Sequence, residues 1–184
     1  MTDERKRYLA ILKEKSYEKR KVTLSSGRES DFYIDCKQST LDAEGAMLTG
    51  RLLCDLLANG APVEAVGGIT LGADPIVTAV SLTSALRGTP IPAFIIRKEP
   101  KKHGTAQWIE GGRNLRPGMK VAIVEDVVTT GASTIKAIDR AIESGLDVAR
   151  VITLVDRNEG GARTLADKGY KLEALFLKED VENA

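Results

Sequence analysis

Glu125 and Asp126 stand side by side at the end of the apolar run Val121-Ala122-Ile123-Val124, and Val127-Val128-Thr129-Thr130-Gly131-Ala132-Ser133 follows them. Two adjacent carboxyls can hold a polyol or a metal. The small and hydroxylated residues behind them predict a loop that opens a helix, whose N–H groups and dipole favour an anion. A ribose 5-phosphate, with phosphate at one end and hydroxyls at the other, suits both halves. The alternative is a buried strand with an acidic turn and an ordinary helix cap, but the order of the pieces favours a binding site. No Gly-Lys-Ser/Thr follows, so the loop is not a Walker A motif, and the three-glycine dinucleotide fingerprint is absent.

The nine residues Arg97-Lys98-Glu99-Pro100-Lys101-Lys102-His103-Gly104-Thr105 carry four permanent cations and the sole histidine. Pro100 and Gly104 break helix, and no apolar period ties the segment down. It reads either as a solvated loop whose charges do nothing or as a cationic lid. A lid suits a leaving group such as pyrophosphate, on which charge grows in the transition state. Gly67-Gly68-Ile69-Thr70-Leu71-Gly72-Ala73-Asp74-Pro75 is either a close backbone approach to a ligand or a tight strand-to-helix connection. Arg157, in Val155-Asp156-Arg157-Asn158-Glu159-Gly160-Gly161, is either a surface turn residue or a fork for a substrate carboxylate.

The elements between these segments must position them. The pattern predicts a helix over Asp3 to Lys15 and short strands Val22 to Leu24 and Phe32 to Cys36 around Ser25-Ser26-Gly27-Arg28. A long helix runs from about Asp42 to Leu57, with Leu48, Leu52 and Leu56 inward. Strands follow at Val63–Val66, Ala93–Ile96, Lys120–Val124, Val151–Val155 and Leu172–Leu177. Helices fall between them: one capped by Asp74 with Pro75 at its first position, one using Ile135, Ile138 and Ile142, and a short one near Thr164–Lys168. This alternation predicts an α/β fold with a mainly parallel sheet flanked by helices, whose ligands bind beyond the carboxyl ends of the strands.

The 184 residues suit one domain, and 42% hydrophobic with 29% charged residues is a globular composition. The formal net charge of +1 does not imply a nucleic-acid surface. No apolar run approaches the ~20 residues of a membrane span. Met1 to Lys21 has no signal-peptide core, and Cys36 and Cys54 are too few for a disulfide framework, so a cytoplasmic protein with reduced thiols is expected. One histidine excludes a multi-histidine zinc site.

The EDVVTTGAS stretch resembles the phosphoribosyl-pyrophosphate (PRPP) signature of the type I phosphoribosyltransferases. Together with Thr23-Leu24-Ser25-Ser26-Gly27-Arg28-Glu29-Ser30-Asp31-Phe32-Tyr33-Ile34-Asp35, RKEPKKHG and DRNEGG, it is similar in register to the orotate phosphoribosyltransferase family. The resemblance implies phosphoribosyl transfer from PRPP to orotate, with Mg²⁺ held mainly by substrate and water rather than by a protein cage. It further implies a homodimer, with loop 97–105 reaching into the neighbouring subunit's site. A small hood of about residues 1–40 plus the C-terminal segment would cover a core of about 41–170. By position, Arg97, Lys98, Lys101 and His103 would contact pyrophosphate, Glu125 and Asp126 the ribose hydroxyls, and Val127, Val128, Thr129, Thr130, Gly131, Ala132 and Ser133 the 5′-phosphate. Lys101, His103, Glu125 and Asp126 would form the catalytic set, and Thr129 and Arg157 would bind orotate. Ser25 and Gly72 stand where many members have lysine. Two rivals are another purine or pyrimidine acceptor, against which Arg157 speaks, and a PRPP-sensing nucleic-acid-binding regulator, against which the near-neutral charge speaks.

Overall fold

The computed structural model describes residues 1–23, 29–100 and 107–184. Its centre is strand β6 (Lys120–Val128), whose apolar run is buried on both faces. Val121 and Ile123 pack with Ala137, Ile138 and Ala141 of helix α5 (Ala132–Glu143), while Ala122 and Val124 face the opposite core with Leu53 and Val77. Those two residues belong to helices α3 (Ala43–Ala58) and α4 (Asp74–Leu86). A strand covered on both sides needs no polar alternation, which is why this run is continuous. Each fully buried Val or Ile there contributes about 1.5–3 kcal/mol.

The remaining strands are β3 (Ala65–Ile69), β4 (Ala93–Ile96), β5 (Ile109–Glu110), β7 (Asp147–Asp156) and β8 (Leu172–Leu177), in the order β5-β4-β3-β6-β7-β8. All neighbours pair in parallel except β5, which closes one edge antiparallel to β4. The expected parallel α/β class is therefore observed. Helix α1 (Asp3–Ile11) continues as a π turn through Ser16 into an antiparallel hairpin of β1 (Tyr17–Thr23) and β2 (Glu29–Ile34), which forms its own sheet. Short helices α2 (Lys37–Thr40), α6 (Gly161–Ala166) and α7 (Lys178–Glu182) complete the described elements. Among the described residues no helix is long and apolar enough to cross a membrane.

Several expectations change in detail. Strand β6 runs on through Val128, so Glu125 and Asp126 lie within it rather than beyond its end. Asp74 is the first residue of α4 and not its cap; its carboxylate accepts a hydrogen bond from the Thr70 hydroxyl at 2.8 Å. Ile142 faces solvent, because Ala137, Ile138 and Ala141 supply the inward stripe of α5. Gly67 and Gly68 lie inside β3, where a side chain would overlap the Phe94 ring and the Val124 carbonyl; their role is packing rather than ligand approach. By contrast α3 forms as its pattern predicts. The Asp42 side chain caps it through the Gly45 N–H at 3.0 Å, and Leu48, Leu52, Leu53 and Leu57 are buried.

Candidate active site

The carboxyl ends of β3, β4, β6 and β7 bring the predicted segments to one edge of the sheet. Beyond β6 the chain turns at Gly131, whose φ of 82° is open to glycine without strain, and enters α5 with no side chain capping its first N–H groups. Such an end presents donors and positive dipole to an anion. The turn after β7 packs directly on this loop. A side chain at Gly161 would meet Val128 Cγ1 at 2.4 Å and Thr129 O at 2.8 Å, and one at Gly131 would meet Gly161 O at 3.2 Å. The Arg157 N–H also donates to Val128 O at 2.9 Å. Two glycines and one backbone bond thus set the 127–133 loop beside Arg157.

Glu125 is buried, and burial pushes its carboxyl up to about pKa 8; the charge of Asp126 and a hydrogen bond to it add to the rise, while the Ser133 hydroxyl opposes it. Asp126 lies nearer solvent. Its Oδ1 accepts the Val127 N–H at 2.9 Å, and its Oδ2 is 3.8 Å from Lys37 Nζ. Lys37 bridges to Asp35 at 2.6 Å, and its ammonium draws the Asp35 carboxyl below the ordinary range against the opposing effect of burial. A side chain at Gly72 would sit 2.6 Å from Asp126 Oδ1, so the missing side chain is the space that carboxylate occupies.

Arg157 is buried at the end of β7. It pairs with Glu159 at 2.9 Å, donates to the Phe32 carbonyl at 3.1 Å, and lies 5.3 Å from the centre of the Phe32 ring. Hairpin strand β2 is thereby tied to the turn after β7. Arg97 stands at the end of β4, paired with Glu110 at 2.9 Å, and lies between two cavities of about 520 and 460 Å³. Lys98 lines both; Ser133, Lys136, Arg140 and Trp108 line the first, and Thr70 and Asp74 the second. The Arg140 guanidinium stacks on Trp108 at 3.6 Å, which pins the return of the 97–105 segment to α5. Lys101 and His103, like Ser25, lie outside the described residues.

Sequence reasoning missed Lys37 and assigned nothing to Glu159. Both stand two residues from a charge of opposite sign, Asp35 and Arg157, a spacing too common to single them out. Among the described residues no group of three or more His, Cys, Asp or Glu converges as a metal cage. A further cavity of about 740 Å³ runs along α3 and α4, is mostly apolar and is lined at one end by Lys37 and Asp74.

The sequence matches the family model described as the phosphoribosyl transferase domain over residues 46–175. It is 51% identical over 177 residues to an orotate phosphoribosyltransferase of Sorangium cellulosum, covering 96% of this chain and 92% of that protein. The orotate phosphoribosyltransferase of Nostoc sp. is 50% identical over 97% of this chain and 85% of its own length. Among solved structures, the Mycobacterium tuberculosis orotate phosphoribosyltransferase in complex with PRPP superposes with a TM-score of 0.80 at 35% identity, covering 97% of this chain and 99% of that one.

Proposed function

The chain belongs to the orotate phosphoribosyltransferase family, and from that premise we propose that it transfers the phosphoribosyl group of PRPP to N1 of orotate, releasing pyrophosphate and forming orotidine 5′-monophosphate for pyrimidine synthesis. The observation that carries this reading is the packing of a buried arginine, Arg157, against a phosphate-type loop through Gly131 and Gly161. One end of the site suits a phosphate and the other an acceptor with a carboxylate. A purine acceptor would give Arg157 no anion.

In the reaction the bond from the anomeric carbon to pyrophosphate oxygen breaks, its electron pair leaves with pyrophosphate, and N1 of orotate closes on the carbon. The transition state is oxocarbenium-like, so positioning and charge stabilisation replace a covalent nucleophile. The loop from Val128 to Ser133 offers its N–H groups to the 5′-phosphate, while the Val127 N–H is held by Asp126 Oδ1 and fixes the start of that loop. Glu125, its carboxyl raised by burial and by the neighbouring charge of Asp126, and Asp126, paired with Lys37, receive the ribose hydroxyls. Arg157 and Thr129 orient orotate. Arg97, Lys98, Lys101 and His103 face the leaving pyrophosphate.

Glu125 and Asp126 are the acidic pair nearest the ribose, one protonated and the other already paired with a lysine. This donor set fits a Mg²⁺ carried mainly by substrate oxygens and water. When bound, Mg²⁺ neutralises charge on the leaving group. Reduced, buried Cys36 and Cys54 fit a cytoplasmic setting.

The active form is a homodimer. Leu41, Leu71, Leu82 and Leu86 are exposed around the apolar cavity along α3 and α4, and Lys37 and Asp74 bring that face to the edge of the site. With a second copy seated there, the resemblance implies that loop 97–105 of each subunit serves its neighbour's site. Leu82→Glu should give monomers in sedimentation and little turnover; a dimer that persists would remove this face as the interface. The function itself is tested by mixing enzyme, PRPP, Mg²⁺ and orotate and following the fall in orotate absorbance. Turnover of adenine or uracil in place of orotate would overturn it.

A further inference from the structure

The functional reading gives Arg157 to the carboxylate of orotate, yet a carboxylate already sits on it. Glu159 Oε1 accepts from Arg157 Nε at 3.1 Å and lies 2.9 Å from Nη2, so one oxygen spans the edge of the guanidinium that a substrate carboxylate would grip. Resting on that reading, we propose that Glu159 is a specificity-determining residue: it holds the place of the substrate carboxylate in the empty site and yields it when orotate binds.

The local fold explains why such a placeholder is needed. The Arg157 side chain is only 8% exposed, and a desolvated guanidinium without an anion is strongly unfavourable. Glu159 is brought back to it by Asn158, which adopts φ 55° while its N–H is held by Asp156 Oδ1 at 2.9 Å. The same turn explains how Glu159 can leave. It is followed by Gly160, at φ 98° with open space around its missing side chain, and Gly161 begins α6 only after that. Arg157 has no such freedom, because it is tied to Val128 and Phe32 through backbone carbonyls.

Exchange of one carboxylate for another keeps the buried charge balanced. An acceptor without a carboxylate cannot make the exchange, since it brings no negative charge to replace that of Glu159. The pair therefore selects for an anionic base at the expense of affinity for the correct one.

Glu159→Gln keeps the shape and removes the competing charge. It should lower KM for orotate about tenfold, a change equivalent to about 1.4 kcal/mol, and leave KM for PRPP unchanged. In an Arg157→Gln background, adding Glu159→Gln should no longer raise kcat/KM for orotate, because the effect acts through the guanidinium. A KM for orotate that is unchanged or raised would overturn the proposal and make Glu159 a support for Arg157. A gain that persists without Arg157 would overturn it too. Should Glu159→Gln fail to fold, Glu159→Ala carries the same expectations. Absence of orotate turnover by the unsubstituted enzyme would instead sink the functional reading, and this inference with it.

Discussion

Gly72→Ala should separate the position of Asp126 from the stability of the fold. An added Cβ would lie 2.6 Å from Asp126 Oδ1 and 2.9 Å from Oδ2, where ordinary contact begins at 3.4 Å. The carboxylate must then retreat by about 0.8 Å, the difference between the closer contact and that limit. It is the end of a side chain, so it can move by rotation, giving up its approach to Lys37 and its bond from the Val127 N–H. An ion pair of this kind is worth about 0–1 kcal/mol. Gly72 does not need a left-handed conformation, so alanine also removes about 0.4–1 kcal/mol of unfolded-state freedom. The two effects nearly cancel, and Tm should move by no more than about 4 °C. Catalysis has no such compensation. A displacement near 1 Å at a positioned group costs about 10²-fold, so kcat/KM for PRPP should fall about 10- to 100-fold, with the loss largely in kcat. Initial rates from orotate absorbance and a thermal melt on the same sample decide it. A folded variant with full activity would show that the Asp126 position seen here does not matter to the reaction. A variant that unfolds would refute the reasoning about Gly72 instead.

Other outcomes follow from the same geometry. Glu125 has its carboxyl raised to about pKa 8 from an ordinary 4.5, so the folded protein keeps a proton that the unfolded chain loses; its contribution to stability is complete below about pH 4.5 and is lost as pH rises through about 8, at up to about 1.4 kcal/mol per pH unit. Urea unfolding at intervals from pH 5 to 8 should therefore show a falling stability that Glu125→Gln flattens, and parallel curves would refute the assignment. Arg157→Ala should weaken orotate by about 2–5 kcal/mol while leaving PRPP nearly unaffected, and it should also lower Tm because the Phe32 carbonyl loses its donor; equal losses for both substrates would make Arg157 purely structural. Lys101→Ala should slow the chemical step about 10²–10³-fold, and mixing it with Arg157→Ala should restore activity in hybrid dimers; hybrids shown by mass spectrometry to form yet remaining inactive would exclude loop donation between subunits.

The sheet was legible because buried parallel strands write themselves as short apolar runs between helical periods. What the sequence concealed was length: β6 and β7 extend beyond their apolar runs because pairing continues through Glu125 and Asp156, whose polar side chains are buried rather than turned to solvent. Helix α7 and strand β5 are too short to show a period. The acidic pair and the loop behind it could be read directly, since chain neighbours stay neighbours in space. Lys37 could not, because its partner Asp126 is 89 positions away and the two meet only in the folded chain. Gly72 shows the same limit. Its glycine reads as turn chemistry in sequence, but the atom that needs the space lies on another strand.

A transferase of this kind must hold two ends of its substrates to a fixed separation and leave a third free to open and close. Here the fixed part is built from strands. The 127–133 loop and Arg157 follow neighbouring strands in parallel register, Val128 facing Asp156, and the Arg157 N–H bond to Val128 O with the Gly131–Gly161 contact removes the slack between them. On the proposed reading, the separation of 5′-phosphate from acceptor would be set by sheet spacing rather than by loop conformation, a rigidity suited to near-attack geometry. The cationic side is built differently. Arg97 and Lys98 sit at the end of β4, and the chain returns at Trp108, which Arg140 holds against α5. Both described ends of the cationic segment are anchored. In the proposed reaction pyrophosphate enters as part of one substrate and leaves as a product, and charge supplied from a segment held only at its two ends would serve the transition state without trapping the product.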